Sequence, residues 1–102
     1  MAHKVVFRDD AVADLTALYD YIANNNSPEI AIGYIRRIQA ACTRLATFPE
    51  RGRRRDDILP GLRTIGFERR ATIAFRVLKT RVEIVSIAYG GRDFERELRK
   101  RR

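Results

Sequence analysis

The stretch Arg69–Phe94, RRATIAFRVLKTRVEIVSIAYGGRDF, decides the fold. In its first half Ile73, Phe75 and Val77 alternate with Thr72, Ala74 and Arg76, the period of a strand with one buried face. Its second half, Val82–Tyr89, is apolar on both phases: Val82 and Ile84 on one, Val85, Ile87 and Tyr89 on the other. Such a strand belongs inside a sheet with material above and below it. Lys79, Thr80 and Arg81 are too few for a crossover, so the two strands form an antiparallel hairpin. The second strand then runs into Gly90-Gly91-Arg92-Asp93, where two glycines let the backbone leave the sheet and set a charged pair at its rim.

Around this hairpin the chain arranges itself in order. Lys4–Phe7 reads as a first strand. Val12, Leu15, Leu18, Tyr19 and Ile22 recur at helical spacing after the acids Asp9 and Asp10. Asn24-Asn25-Asn26 ends that helix, and Ser27-Pro28-Glu29 opens another, with Ser27 as N-cap and Pro28 at the first helical position. The second helix carries Ile30, Ala31, Tyr34, Ile35, Ile38, Ala41, Cys42 and Leu45 on its apolar side and stops before Pro49. So short a connection makes the two helices an antiparallel hairpin. Arg51–Asp57 reads as a charged loop, Leu62–Phe67 as a strand, and Phe94 with Leu98 as a short amphipathic helix. The expectation is one α+β domain over residues 1–102: a strand, a helical hairpin on one face of a mainly antiparallel sheet, a three-strand meander and a C-terminal helix.

Composition limits the chemistry. With 102 residues and 45% apolar content the chain builds one modest core. One His (His3) and one Cys (Cys42) do not make a metal-ligand set, and no Gly-rich phosphate loop occurs, so neither metal nor cofactor is expected. Cys42 sits between Ile38 and Leu45 at helical spacing and reads as core, and Asp56-Asp57 beside Arg55 reads as a solvated charge run. The lone Cys suits a reducing cytoplasm, and no run of apolar residues is long enough to enter a membrane. The formal charge of +8 is lopsided: residues 1–48 balance five basic against five acidic groups, whereas residues 49–102 hold sixteen against eight. An excess of this kind points to an acidic or polyanionic partner.

Several pieces taken together resemble the RelE/ParE superfamily of bacterial toxins. They are Asp14-Leu15, Tyr21-Ile22, Pro28 with Ala31, Arg51-Gly52-Arg53, Gly61-Leu62-Arg63, Ile73–Val77 and Gly90-Gly91-Arg92-Asp93, spanning roughly residues 4–95. The resemblance implies the growth-inhibiting toxin of a type II toxin–antitoxin pair, neutralised by a bound antitoxin and reaching DNA only through it. The +8 confined to residues 49–102 adds the expectation that this antitoxin covers that half with an acidic, partly disordered segment. Members of the superfamily differ in target. RelE-like members cut ribosome-bound mRNA; a set of that kind here consists of Arg63, Arg76, Tyr89 and Arg92 as phosphate clamp and proton carriers. Thr72, however, stands where those nucleases carry a strand Arg, and Leu98 near where they carry an aromatic residue. ParE-like members inhibit DNA gyrase, and the long helical hairpin favours this branch. On that reading no residue is catalytic, the target meets Arg63, Tyr89, Gly90, Gly91, Arg92 and Asp93, and the antitoxin meets Arg69, Arg70, Phe94 and Leu98.

Overall fold

The computed structural model describes residues 3–90 and the helix at 94–101, the latter with the side chains of Arg96, Leu98, Arg99 and Lys100. The elements are β1 (Lys4–Phe7), α1 (Asp9–Asn25), α2 (Pro28–Arg44), β2 (Arg53–Arg54), β3 (Leu62–Phe67), β4 (Ala71–Val77), β5 (Arg81–Tyr89) and α3 (Phe94–Arg101). One five-stranded sheet runs β1-β5-β4-β3-β2. The meander and helical hairpin follow the pattern of the sequence. Two features were not legible there. The first strand lies parallel to the last, Lys4 opposite Arg81 through Phe7 opposite Ile84. The charged loop also contributes a fourth antiparallel strand, with Arg53 opposite Thr64 and Arg54 opposite Arg63.

A bulge corrects the reading of β5. Ala74 faces Ser86 while Phe75 faces Ile84, which leaves Val85 without a counterpart on β4. The extra residue resets the alternation. Val82, Ile84, Ile87 and Tyr89 therefore join Ile73 and Phe75 beneath the helices, although Ile84 and Ile87 are three apart. Val85 alone turns to the opposite face, where it packs with Ile58, Leu62, Ala74 and Leu98. The sheet thus has a main core under α1 and α2 and a smaller one under α3, so the helices do not all lie on one face.

The helices pack by phase. In α1 the buried stripe is Ala11, Leu15, Leu18 and Ile22. Val12 is instead half exposed, because an apolar residue one position off the stripe rotates about 100° away from the sheet. In α2 Ala31, Tyr34, Ile35, Ile38, Ala41 and Cys42 are buried, whereas Ile30, expected inward, is exposed in the first turn. The Ser27 hydroxyl accepts from the Ile30 N–H at 3.2 Å, and Pro28 occupies the first turn as its fixed φ allows. Gly52 shows why the second strand could form. At φ 84° a Cβ here would collide with the Ile65 side chain and the Thr64 carbonyl, so glycine lets the loop lie flat against β3.

Two measurements check this core. Leu15→Ala and Ile38→Ala, both in the layer between helices and sheet, are expected to cost about 2–5 kcal/mol each in denaturant unfolding. Cys42 is fully buried, and desolvation pushes its thiol up to about 12 from an ordinary value of 9.0. Since the neutral form is the one the fold favours, this contribution is intact below pH 9 and is lost as pH rises toward 12. Cys42→Ala should therefore flatten the alkaline part of the stability–pH curve, and the native thiol should resist alkylation at neutral pH.

Candidate target-binding site

The sheet ends at Tyr89, and Gly90 turns the chain away at φ 73°. Four aromatic rings collect beneath this exit. Tyr89 on β5 lies 6.0 Å from Tyr21 on α1 and 5.7 Å from Tyr34 on α2, and Tyr34 meets Phe67 on β3 edge-on at 5.6 Å. Each reaches this corner because its own element ends or begins there: α1 near its C-terminus, α2 in its second turn, β3 at its last residue. The Arg37 guanidinium stands 5.3 Å from the Tyr34 ring centre and forms a two-pronged pair with Glu68 at 2.8 and 3.1 Å. That pair holds the Glu68 carboxyl below its usual range. Burial raises the Tyr34 phenol, whose hydroxyl is enclosed without a hydrogen-bond partner.

Asp14 fastens α1 to this end of the sheet. β1 stops at Phe7, and the Arg8 N–H makes a last bond to the Ile84 carbonyl at 3.0 Å. Past the bulge, β5 has no neighbouring strand on that side. The Asp14 carboxylate fills the gap, accepting from the Ile87 N–H at 3.0 Å and from the Ser86 hydroxyl at 2.9 Å. A cavity of about 370 Å³ opens beside it, walled by Asp14, Leu18, Tyr21, Ile87 and Tyr89, with Arg70 and Gly90 at its mouth.

The residues singled out from sequence fall in different places. Tyr89 and Gly90 form the rim just described, and Arg69 and Arg70 stand exposed on the adjoining turn. Arg63 shares the helix-covered face with Tyr89 but pairs opposite Phe75, whereas Tyr89 pairs opposite Ala71. Four residues of β4 separate those levels, about 13 Å along the strand. Arg76 points to the opposite face, its Nη1 3.8 Å from Glu83 and its Nε enclosed without a partner. Arg63, Arg76 and Tyr89 therefore do not converge on one phosphate. Leu98, placed among the antitoxin contacts from sequence, is buried in the smaller core beneath α3. Gly91, Arg92 and Asp93, and the side chain of Phe94, lie outside the described residues.

Sequence reading missed Asp14, Tyr21, Tyr34, Arg37 and Glu68 as a group. One signal was available. Asp14 lies in phase with Ala11, Leu18 and Ile22, an acid on the buried stripe of a helix, and such a group needs donors from the element it faces. The others come from three elements far apart in sequence.

A five-stranded sheet with one parallel edge pair, covered by an antiparallel helical hairpin, is the architecture of RelE/ParE-type toxins. The structure superposes on that of a chromosomal ParDE toxin–antitoxin system from P. aeruginosa with a TM-score of 0.76 and 28% identity, covering 87% of this chain and 97% of the other. It shares the fold of the RelBE2 toxin–antitoxin complex from Mycobacterium tuberculosis at a TM-score of 0.59 and 20% identity, over 87% and 99% of the two chains. Residues 5–94 match the family described as the ParE toxin of the type II toxin–antitoxin system parDE, and the chain belongs to that family. Toxin ParE3 of Caulobacter vibrioides is 34% identical over 61 residues, so the match spans 60% of this chain and 61% of that relative's length.

Asp14 supplies the test of the site's scaffold. Asp14→Ala leaves the Ile87 N–H and the Ser86 hydroxyl without their acceptor and is expected to cost about 1–3 kcal/mol in urea unfolding. Asp14→Asn keeps an acceptor oxygen and should lose less.

Proposed function

We propose that this chain is the toxin of a toxin–antitoxin pair, that it arrests growth by inhibiting DNA gyrase, and that a cognate antitoxin with an acidic segment holds it inactive. The observation that carries the reading is membership of the ParE family over residues 5–94. The geometry supports the same side. Metal-free cleavage of RNA requires a base, an acid and positive charge about one phosphate. Arginine is protonated at any working pH and cannot serve as that base. Tyr89 is the one titratable phenol in the ribonuclease set, and it is separated from Arg63 by four residues along β4 and from Arg76 by the thickness of the sheet. An inhibitor needs no such convergence, only a rigid rim whose charge and shape fit its target. Tyr89 and Gly90, followed in sequence by Gly91, Arg92 and Asp93, supply that rim in this reading. Arg63, at the other end of the sheet, stands apart from it.

The antitoxin follows from the family and from charge. The excess of basic groups in residues 49–102 attracts an acidic chain over distances set by screening, about 8 Å at physiological salt.

The purified chain is expected to block gyrase supercoiling in a plasmid assay and to leave mRNA on stalled ribosomes intact. Arg92→Ala should weaken the block at least several-fold while the thermal unfolding curve stays unchanged. Cleavage of ribosome-bound message at toxin concentrations too low to affect supercoiling would replace this reading with the ribonuclease one.

A further inference from the structure

The hairpin turn between β3 and β4 is built against the preferences of its residues. The Arg70 N–H donates to the Phe67 carbonyl at 3.2 Å, and both residues between them have positive φ, Glu68 at 48° and Arg69 at 61°. This is the φ signature of a type I′ turn, whose central positions favour Asn and Gly because the left-handed region crowds a Cβ. Glu-Arg in place of Asn-Gly therefore costs stability. Backbone strain of this sort clusters at functional sites.

The charges of the turn point outward. Glu68 is engaged by Arg37 through two hydrogen bonds, so its carboxylate does not quench its neighbours. Arg69 and Arg70 are exposed, and among the described residues neither takes part in an ion pair. A bond from the Gly90 N–H to the Arg70 carbonyl, 2.7 Å, ties the turn to the exit of β5. Arg70 then borders the cavity of about 370 Å³ that Tyr21 and Tyr89 help to wall, large enough for one bulky side chain. Two guanidinium groups without an ion pair among the described residues thus stand beside an aromatic-walled recess, on a turn braced by the Arg37–Glu68 pair.

We propose that Arg69 and Arg70, expected from sequence to meet the antitoxin, instead form with this recess the grip by which the chain holds its protein target, recognising a segment with a carboxylate next to a large apolar or aromatic side chain. The carboxylate pairs with the arginines, which match its fork geometry, and the neighbouring side chain packs in the recess against Tyr21 and Tyr89. Glu68 sets the turn through Arg37 and is a positioning residue. The proposal rests on the reading that the chain inhibits by binding a protein.

The test uses the full chain in three variants, each measured for melting temperature, for inhibition of gyrase supercoiling and for growth arrest on expression. Glu68→Asn with Arg69→Gly relieves the strained turn, removes one guanidinium and breaks the pair between Glu68 and Arg37. It is expected to raise the melting temperature by about 4 °C or more and to weaken inhibition at least tenfold. Arg70→Gln should weaken inhibition about tenfold at an unchanged melting temperature. Arg53→Gln, which removes the same charge from the far edge of the sheet, should inhibit as the parent does. A turn variant that is no more stable than the parent, or that inhibits as well, overturns the proposal. So does an Arg53→Gln loss equal to that of Arg70→Gln, which would reduce the effect to net charge. If the parent arrests growth without touching gyrase, the gyrase reading fails alone, and growth arrest becomes the readout for the same comparison. A parent inactive in both assays removes both.

Discussion

The carboxylate of Asp14 is the contact on which the rest of this architecture turns. β5 is flanked by β1 for only its first four residues, and past the bulge its outer edge would face a helix that offers no backbone partner. A backbone N–H shut away without an acceptor is costly. Asp14 meets that need from the buried stripe of α1, and in doing so fixes how far along the sheet the helix sits. Tyr21, two turns further on, is thereby placed against Tyr89, and α2 follows with Tyr34 and Arg37. The corner of four rings is the downstream result of one carboxylate seated at a bulge.

Charge is distributed with the same economy. Four of the described acids of the C-terminal half are engaged nearby: Asp56 with Arg54, Asp57 with Arg55 and Arg99, Glu68 with Arg37, and Glu83 near Arg8, Arg76 and Arg81. These exposed pairs add little to stability individually. Their effect is on the surface field, since they leave particular arginines without an ion pair among the described residues rather than spreading positive charge evenly. The excess apparent in composition therefore becomes local, and Arg69 and Arg70 beside the β5 exit are one place where it concentrates.

Much of the fold was legible because it rests on periodicity. The alternation of Ile73, Phe75 and Val77, the capping of α2 by Ser27 and Pro28, and the stripe of Leu15, Leu18 and Ile22 are local patterns, and local patterns are what a sequence displays. The parallel pairing of β1 with β5 joins residues nearly eighty apart and leaves no local mark. The bulge misled because an extra residue is indistinguishable from a change of face when only apolar phase is read. The site was legible in part: Tyr89 and Gly90 mark the end of a strand and its exit. Glu68 and Arg69 carried no signal, since nothing in a Glu-Arg pair announces a left-handed turn. Leu98, placed among the antitoxin contacts from sequence, is buried in the smaller core; an apolar residue in a charged helix reads equally as surface contact or anchor.

The adjacency of the first and last strands has a consequence for how the molecule comes into being. During synthesis β1 and α1 emerge long before β5, the strand against which both pack. The helical hairpin can form early, but its apolar side has nothing to cover it until residues 81–89 have left the ribosome. The core therefore closes late, through contacts of long sequence separation, which fold more slowly than local ones. Chains cut short before β5 lack the strand that completes the core and the tyrosine that completes the rim. Any growth-arresting activity seated at that rim is then absent from chains that stop short of β5.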